Sequence, residues 1–342
     1  MKELLTQLIE GKSLTTEQTA EAFELIMTGK SEPLQVAAML ALIQQHGPTV
    51  DEIAGAAKVM RDKATAVTVP DGLTAIDTCG TGGDHSGTFN VSTAAAIVAA
   101  AAGRPKNICV AKHGNRSITS KSGSSQVLES LGVHLQVDGD TLTKCLDEAG
   151  LCFCFAPAHH PAMKHAMPIR QALGVRTMFN MLGPLTNPAG ARRQIMGVFD
   201  ASLTETLANV LCKLGAEDAM VVHGQGVDEI VTWGTSQISR CKDGSVTTEI
   251  FDPSTLGLSC DDMASLQAND PDHSASIIRS VLAGEKGGPR DLVAINAGAA
   301  LVVAGVSDSL AAGYEAACSA IDSGSAKQVI EKLAELTQAA AR

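Results

Sequence analysis

Residues 73–102, LTAIDTCGTGGDHSGTFNVSTAAAIVAAAA, contain a short apolar run, a glycine-rich loop and an alanine-rich stretch in succession. The run at 73–78 is typical of a buried strand, and the alanines after Thr93 favour a helix. Helical stretches of ten or more residues separate the later apolar runs, which lie at 107–111, 133–137, 151–155, 196–199 and 219–223. This alternation predicts an α/β fold whose mainly parallel sheet is covered by helices.

The first 65 residues contain no strand pattern but several helix signals. The segments Thr15 to Gln18 and Thr49 to Glu52 both fit the capping box, in which a hydroxyl and a later amide or carboxylate satisfy free N–H groups. Pro33 begins an apolar helix, and Gly47-Pro48 ends it. The chain therefore begins with a small helical unit.

Length and composition fit two subdomains. The chain has 342 residues, of which 45% are hydrophobic and 18% charged, so it can bury a large core and is not disordered. We expect a small all-helical domain over 1–70, joined by part of the strand-free interval 161–190, and a large α/β domain over 71–342. Residues 237–251 are typical of a hairpin that turns at Asp243-Gly244.

The charge balance restricts the class of ligand. The net charge is −11, so no overall field attracts nucleic acid or anionic lipid, and neither is expected as a partner. The start of the chain has no signal-peptide pattern, and the longest apolar run, Ala94 to Ala102, is too short to span a membrane. We expect a cytoplasmic protein, no membrane partner, and nine reduced, mostly buried cysteines.

The glycine loop Gly80-Thr81-Gly82-Gly83-Asp84 lies between the first predicted strand and the alanine-rich helix. Glycines allow backbone N–H groups to approach a ligand closely, and a helix N-terminus favours an anion, so the pattern indicates a phosphate cradle. The alternative is a flexible turn in which Ser92 or Thr93 only caps the helix. The loop has neither the P-loop lysine nor the dinucleotide-binding spacing.

Cationic and hydroxyl side chains follow the next predicted strand. The segment Lys112-His113-Gly114-Asn115-Arg116 precedes five hydroxyl residues: Ser117, Thr119, Ser120, Ser122 and Ser124. Such a loop suits a multiply phosphorylated ligand, although basic loop residues are more often simply solvated. Because carboxyl ends of parallel strands lie at one edge, we expect the loops after 78, 111, 155 and 223 to converge.

Three other groups of residues are ambiguous by themselves. The adjacent carboxylates Asp228 and Glu229 suit Mg²⁺, but such pairs are usually surface charge. Arg170 could bind a carboxylate with its planar guanidinium or be an ordinary surface arginine. The histidines His159, His160 and His165 suggest a metal site, but they lack an acidic or thiolate companion at a persuasive spacing, and we expect them to shape a pocket.

In combination, several segments resemble the anthranilate phosphoribosyltransferase family over essentially the whole chain. They are Asp77-Thr78-Cys79-Gly80-Thr81-Gly82-Gly83-Asp84, Asn90-Val91-Ser92-Thr93, Lys112-His113-Gly114-Asn115-Arg116, Gly174-Val175-Arg176-Thr177, Asn180, Gly183-Pro184-Leu185-Thr186-Asn187-Pro188 and Val227-Asp228-Glu229. The resemblance implies a helical small domain, an α/β domain over 71–342 that binds phosphoribosyl pyrophosphate, and a homodimer formed through the helical domain. It also implies the fold of the pyrimidine nucleoside phosphorylases.

The resemblance further implies specific roles in transfer of a phosphoribosyl group to the amine of anthranilate, a step of tryptophan biosynthesis. Phosphoribosyl pyrophosphate would contact Gly80, Gly83, Asp84, Thr88, Asn90, Val91, Ser92, Thr93, Lys112, His113, Gly114, Asn115, Arg116, Ser117, Ile118, Thr119, Ser120 and Ser124. Anthranilate would contact Gly80, Asn115 and Arg170. Mg²⁺ would bind Ser92, Asp228 and Glu229. No residue is assigned as a nucleophile or general base, because the aromatic amine is already neutral at pH 7.

One departure and two rival functions stay open at this point. Gln126 stands where the family more often has Asp, which could alter a supporting hydrogen bond. A pyrimidine nucleoside phosphorylase would share the fold, but the paired carboxylates and the long cradle favour metal-bound pyrophosphate over a single phosphate. A non-catalytic relative that binds nucleic acid should have lost the cradle and gained basic surface, and this chain has done neither.

Overall fold

The computed structural model describes residues 1–84, 86–116, 122–260 and 262–341 of the chain. Helices alone form the beginning of the chain. They are α1 (Lys2–Ile9), α2 (Thr16–Met27), α3 (Pro33–His46) and α4 (Val50–Asp62). The N–H of Gln18 donates to the Thr15 hydroxyl, and the Gln18 side chain accepts from the N–H of Thr15. Thr49 and Glu52 form the same reciprocal pair at α4, so both predicted capping boxes are confirmed.

One sheet follows the helical unit. Its strands in the described ranges are β1 (Thr74–Asp77), β2 (Ile108–Gly114), β3 (Leu151–Phe155), β4 (Arg193–Gly197), β5 (Asp218–Gly224), β6 (Ser236–Lys242) and β7 (Ser245–Phe251). They lie in the order β3-β2-β1-β4-β5-β6-β7, with β1 to β5 parallel and β6 and β7 antiparallel. The predicted α/β fold with a mainly parallel sheet is confirmed.

The strand order reverses at β1. Ile76 on β1 pairs with Val110 on β2 at one side and with Arg193 on β4 at the other. Parallel sheets bind ligands in the crevice outside the carboxyl ends of strands at such a reversal. The predicted hairpin is also present, and its turn residues Asp243 and Gly244 have φ values of +50° and +76°.

The prediction of a strand at 133–137 is wrong. Val133 and Leu135 are buried as the alternating pattern suggests, but this segment lies outside the sheet, between α6 (Ser124–Ser130) and α7 (Gly139–Glu148). The N–H of His134 donates to the hydroxyl of Thr337 at 3.1 Å. The place beside β2 belongs to β3, which leaves the segment to pack on the C-terminal helix.

The remaining helices are α5 (Val91–Gly103), α8 (Ala156–His159), α9 (Met167–Leu173), α10 (Phe179–Leu182), α11 (Leu203–Lys213), α12 (Pro271–Leu282), α13 (Gly288–Val303), α14 (Leu310–Asp322) and α15 (Ser325–Ala340). They pack on the sheet or, in the case of α9 and α10, on the helical unit. Helix α5 is alanine-rich and almost wholly buried, and it packs against α13, α14 and α15. Its small side chains allow this close packing on several sides.

The buried apolar side chains of the described residues form two cores. The first packs α5 and the C-terminal helices on the sheet. The second joins the helical unit to the segment 161–190, to α11 and to side chains of β4 and β5, and it includes Phe23, Phe179 and Met196. Because this core continues from the helical unit onto the sheet, the division near residue 70 stays a prediction.

The cysteines are free thiols, and most of them are buried. All nine cysteines lie in the described ranges and none forms a disulfide, while seven of them are buried. Burial raises the pKa of the Cys109 thiol to about 11, so this side chain behaves as a small apolar group.

Among the described helices, none has the length and apolar character needed to cross a membrane.

Candidate active site

A small cleft lies at the carboxyl ends of β1, β4 and β5, where the strand order reverses. Its lining includes Thr78, Gly80, Ser92, Gly197, Asp228, Glu229 and Asn296. The glycine loop, the start of α5 and the acidic pair therefore meet in one place. Gly82 and Asp228, 146 positions apart, converge because parallel strands direct their following loops to one edge.

The glycine loop adopts the conformation that its composition predicts. Gly82 and Gly83 have φ values of +61° and +78°, a region that other residues rarely adopt. The N–H of Gly82 donates to Oδ2 of Asp228 at 3.0 Å, and the N–H of Thr81 donates to the carbonyl of Gly197 at 2.9 Å. The loop is thus held against both β4 and the acidic segment.

Lys112 supplies a buried cation beside this loop. Its side chain is only 3% exposed, and Nζ donates to the carbonyl of Thr78 at 2.8 Å and to Oγ of Ser92 at 3.4 Å. The Thr78 hydroxyl in turn donates to the carbonyl of Ser92 at 3.2 Å. Strand β2 therefore places a positive charge at the junction of the glycine loop and α5, where an anionic ligand needs it.

Asp228 and Glu229 are the acidic groups of the cleft. Burial and the neighbouring Asp84 carboxylate raise the pKa of Asp228 to about 7. Burial and Asp228 likewise hold the pKa of Glu229 well above its usual value. These oxygens fit a divalent cation, because a cation at this point would relieve their mutual repulsion. Their assignment with Ser92 as magnesium ligands stays a prediction.

The acidic segment is positioned by a turn and an amide. Gly224 and Val227 exchange backbone hydrogen bonds of 3.1 and 2.9 Å around a tight turn just before Asp228. Just after the pair, Asn296 on α13 accepts from the N–H of Ile230 at 3.0 Å and donates to its carbonyl at 2.8 Å. Sequence reasoning missed Asn296, although a lone amide in an apolar helix is a signal for such a role.

Asp77 is a second residue that sequence reasoning missed as a part of the site. It is fully buried and accepts hydrogen bonds from the N–H of Thr78 at 2.7 Å and of His113 at 3.1 Å. Its other oxygen accepts from Nδ2 of Asn187 at 2.7 Å. Burial raises the pKa of Asp77 to about 6, with Lys112 opposing. One carboxylate thus joins the ends of β1 and β2 to the segment containing Asn187.

Asn90 connects the start of α5 with two serines. Its Oδ1 accepts from the hydroxyls of Ser122 at 2.6 Å and Ser274 at 2.8 Å. Val91 and Thr93 are buried in α5, and the Thr93 hydroxyl has no hydrogen-bond partner in the described part of the chain. Nearby, the Thr88 hydroxyl lies 2.9 Å from that of Ser86. These polar groups surround the helix start predicted to face phosphate.

The loop after β2 is only partly described. Ser117, Ile118, Thr119 and Ser120, all predicted to contact phosphoribosyl pyrophosphate, lie outside the described residues. Before them, Gly114 ends β2 and Asn115 is exposed, and the carbonyl of Asn115 accepts from the Ser124 hydroxyl at 3.3 Å. Arg116 forms an exposed ion pair of 2.8 Å with Glu129. The predicted site residues of this loop therefore continue from β2 toward α6.

Gln126 has a local role. Its side chain accepts a hydrogen bond from the N–H of Gly123 at 3.1 Å, at the start of α6. Glutamine thus provides the oxygen that a carboxylate would provide at this position, and it satisfies one of the free N–H groups of the helix. Gln126 therefore makes a hydrogen bond of its own at the start of α6, and the effect of the departure from the family pattern stays a prediction.

Arg170 lies on α9 and is half-buried. Burial lowers the pKa of its guanidinium, whose carbon lies 5.2 Å from the centroid of the Phe179 ring. Nη1 contacts Sδ of Met167 at 3.9 Å. Within the described ranges Arg170 has no carboxylate partner, unlike the paired Arg193 or Arg240. A half-buried guanidinium without a carboxylate partner suits the carboxylate of a ligand.

The three histidines of 159–165 have separate neighbours. Nδ1 of His159 lies 2.8 Å from the carbonyl of Thr65, whereas Nε2 of His160 lies 3.2 Å from Nε2 of His113. His165 packs beside Gly29 instead. Burial lowers the pKa of His113 to about 3 and of His160 to about 4, so both rings are neutral. The pair joins β2 to the segment that carries Arg170.

The raised pKa of Asp228 predicts a pH-dependent stability difference. Protonated Asp228 is favoured in the folded state, so its ionisation destabilises the fold increasingly from about pH 4 to pH 7. Replacing Asp228 with Asn should therefore raise the melting temperature above pH 7, by about 1–3 °C, and change it little near pH 4. Thermal unfolding in chelator across this range tests it, with exposed Asp71→Asn as the control. A pH-independent difference would contradict the assignment.

Comparisons with known proteins agree with this architecture. The model of the glycosyl transferase family helical bundle domain matches residues 2–64, and that of the family's a/b domain matches residues 72–327. The anthranilate phosphoribosyltransferase of Symbiobacterium thermophilum is 48% identical over 338 residues, which are 98% of each chain. Both domains and nearly the full length are therefore shared.

Solved structures are also similar. The anthranilate phosphoribosyltransferase of Thermus thermophilus superposes with a TM-score of 0.91 at 38% identity, covering 98% of this chain and 99% of the other. The Saccharomyces cerevisiae enzyme in complex with PRPP and Mg has a TM-score of 0.87 at 25% identity, covering 99% and 98%. With its helical bundle, its α/β domain and this degree of identity, the chain belongs to the anthranilate phosphoribosyltransferase family of glycosyl transferases.

Proposed function

We propose that this protein transfers the phosphoribosyl group of phosphoribosyl pyrophosphate to the amine of anthranilate, with release of pyrophosphate, as a step of tryptophan biosynthesis. The observation that carries the proposal is the meeting of the glycine loop and the carboxylates Asp228 and Glu229 in one cleft, with Lys112 bonded to the lining residues Thr78 and Ser92. Separate regions of positive and negative charge suit a substrate that is a polyanion associated with a divalent cation. The close relatives named above carry the same activity in their names.

The chemistry requires positioning more than covalent catalysis. The amine nitrogen forms a bond to C1 of the ribose and loses a proton, while the bond from C1 to pyrophosphate oxygen breaks and its electron pair leaves with pyrophosphate. Lys112 and the N–H groups of the glycine loop would hold the phosphate charges before that bond breaks. Because the amine is neutral at pH 7, no protein nucleophile or strong base is needed.

Mg²⁺ is the proposed cofactor, with Ser92, Asp228 and Glu229 as its protein ligands. Its donors would be oxygens, which Mg²⁺ prefers, and the raised pKa of Asp228 supports a cation at this position. When bound, Mg²⁺ would offset the charge of the departing pyrophosphate. The yeast relative was solved with PRPP and Mg.

The substrate contacts stay assigned as the resemblance implies. For phosphoribosyl pyrophosphate they are Gly80, Gly83, Asp84, Thr88, Asn90, Val91, Ser92, Thr93, Lys112, His113, Gly114, Asn115, Arg116 and Ser124, with 117–120 outside the described residues. For anthranilate they are Gly80, Asn115 and Arg170. The positive φ values of the glycine loop and the unpaired guanidinium of Arg170 support these two sets.

Arg170→Lys should weaken anthranilate binding. A lysine ammonium cannot form the two parallel hydrogen bonds that a guanidinium offers a carboxylate. It also lacks the planar group that packs over the Phe179 ring. We expect the KM for anthranilate to rise roughly tenfold or more, which corresponds to about 1.5–3 kcal/mol for a charged hydrogen bond. Steady-state kinetics with each substrate varied measures the effect.

The matched control is Arg192→Lys, at a surface arginine that is 63% exposed and paired with Glu217. It should leave both KM values unchanged, because exposed ion pairs contribute little. An unchanged KM for anthranilate in Arg170→Lys would remove Arg170 from the anthranilate site.

The assembly is proposed to be a cytoplasmic homodimer formed through the helical domain. Of the described large apolar side chains, Leu34 and Ile9 are the most exposed, at 85% and 72%, and both belong to the helical unit. Exposed apolar groups on one unit favour a protein contact there. A measured mass in solution equal to one chain would contradict the dimer.

A direct assay tests the function. The protein is mixed with Mg²⁺, phosphoribosyl pyrophosphate and anthranilate, and the loss of anthranilate fluorescence is followed. We expect loss only when all three are present, with one pyrophosphate released per anthranilate consumed. Absence of consumption, or equal activity with inorganic phosphate and a pyrimidine nucleoside, would overturn the proposal.

A further inference from the structure

Arg176 belongs to none of the substrate or metal sets assigned above, yet it contacts the glycine loop. Its Nη2 donates to the carbonyl of Gly83 at 2.5 Å. Its guanidinium carbon lies 4.4 Å from the centroid of the Phe199 ring, which is within the range of a cation–π contact. Arg176 therefore has both a hydrogen bond and a flat apolar support that orient it.

The partners of Arg176 belong to the framework of the phosphate cradle. The N–H of Phe199 donates to the hydroxyl of Thr81 at 3.2 Å, so the ring that supports Arg176 is itself bonded to the glycine loop. Gly83 has a φ of +78°, and its carbonyl accepts the hydrogen bond from Arg176. The guanidinium thus completes a closed set of contacts around residues 81–83.

Chain connectivity gives Arg176 a second link. It follows α9, which ends at Leu173 and carries Arg170, and Gly174 ends that helix in the left-handed conformation with a φ of +62°. The guanidinium proposed for anthranilate and the one that holds the glycine loop are therefore only six positions apart in the chain.

We propose that Arg176 is a positioning residue for phosphoribosyl pyrophosphate, acting through the carbonyl of Gly83 to keep the glycine loop in its binding conformation. The proposal rests on the proposed function, since it concerns the same cradle. It predicts a selective effect: loss of the guanidinium should weaken the binding of phosphoribosyl pyrophosphate much more than the binding of anthranilate. The unfolding temperature should hardly change, because the side chain of Arg176 is exposed.

The test compares Arg176→Met, Arg176→Lys and Phe199→Leu with the parent. For Arg176→Met we expect about a tenfold rise in the KM for phosphoribosyl pyrophosphate and in its Kd with Mg²⁺ by calorimetry, with the KM for anthranilate within about twofold. Lysine can donate to Gly83 but cannot stack flat on the ring, so it should restore part of the affinity. Phe199→Leu should give a smaller rise in the same direction.

Arg192→Met, at an arginine remote from the cleft, is the matched control and should leave both KM values unchanged. If Arg176→Met binds phosphoribosyl pyrophosphate as the parent does, or raises both KM values equally, the positioning role is wrong. If the parent itself binds phosphoribosyl pyrophosphate but consumes no anthranilate, the proposed function fails, whereas the calorimetric comparison still tests Arg176.

Discussion

Combined replacement of Asp228 by Asn and Glu229 by Gln should reduce magnesium-dependent turnover by more than about 100-fold and leave the fold intact. The side chains keep their size, and the N–H of Gly82 can still donate to the amide oxygen at position 228. The two charges that would attract the cation are lost, so the pyrophosphate loses its counter-charge. The rate is measured against magnesium concentration, with thermal unfolding in parallel.

The chain offers a chemically matched control for this double variant. Asp147 and Glu148 are an adjacent acidic pair at the exposed end of α7, so Asp147→Asn with Glu148→Gln removes the same charges far from the cleft. This control should keep the parental rate and magnesium response. If the Asp228 and Glu229 variant also keeps them, these carboxylates do not bind the metal and the site must be sought elsewhere.

Gly80→Ala should nearly abolish activity through a single methyl group. A Cβ at position 80 would lie 2.6 Å from Oδ2 of Asp228, which is closer than such atoms can approach. The carboxylate must move, and its hydrogen bond with the N–H of Gly82 breaks. Because the atom that must move is the end of the Asp228 side chain and not part of the backbone, we expect only a small change in unfolding temperature. The kcat/KM for phosphoribosyl pyrophosphate should fall about 100-fold.

Gly139→Ala is the control for this substitution, because a Cβ at position 139 has no atom within 4 Å. It should behave as the parent in both stability and kinetics. A further check is the magnesium dependence of Gly80→Ala, which should shift to higher concentration as Asp228 is displaced. Normal kinetics in Gly80→Ala would show that the carboxylate position is unimportant.

The sequence predicted those structural elements that depend only on residues close together in the chain. The reciprocal bonds of Thr15 with Gln18 start α2, and they depend only on residues three apart. The turn at Asp243-Gly244 likewise needs only two residues that tolerate positive φ. The segment 133–137 has an equally clear strand pattern, but strand formation requires a free neighbour in the sheet, and β3 occupies that place. Its burial was predictable, whereas its pairing was not.

The site divides in the same way. The positive φ of Gly82 and Gly83 follows from residue type and position in a strand-to-helix loop. The role of Asp77 does not, because its partners His113 and Asn187 come from 36 and 110 residues further along the chain. Neither does the role of Asn296, which supports the acidic segment from α13. These residues act through contacts that exist only after the strands have assembled.

The sequence by itself determined the α/β class, the helical beginning of the chain, the glycine cradle and the family, because each depends on residue type and short spacing. Only the tertiary structure decided which distant groups share the cleft. It brought Asp228 against Gly82 and set Arg176 between Phe199 and Gly83. The physical reason is that burial and charge coupling, which raise the pKa of Asp228 to about 7, depend on neighbours distant in the chain.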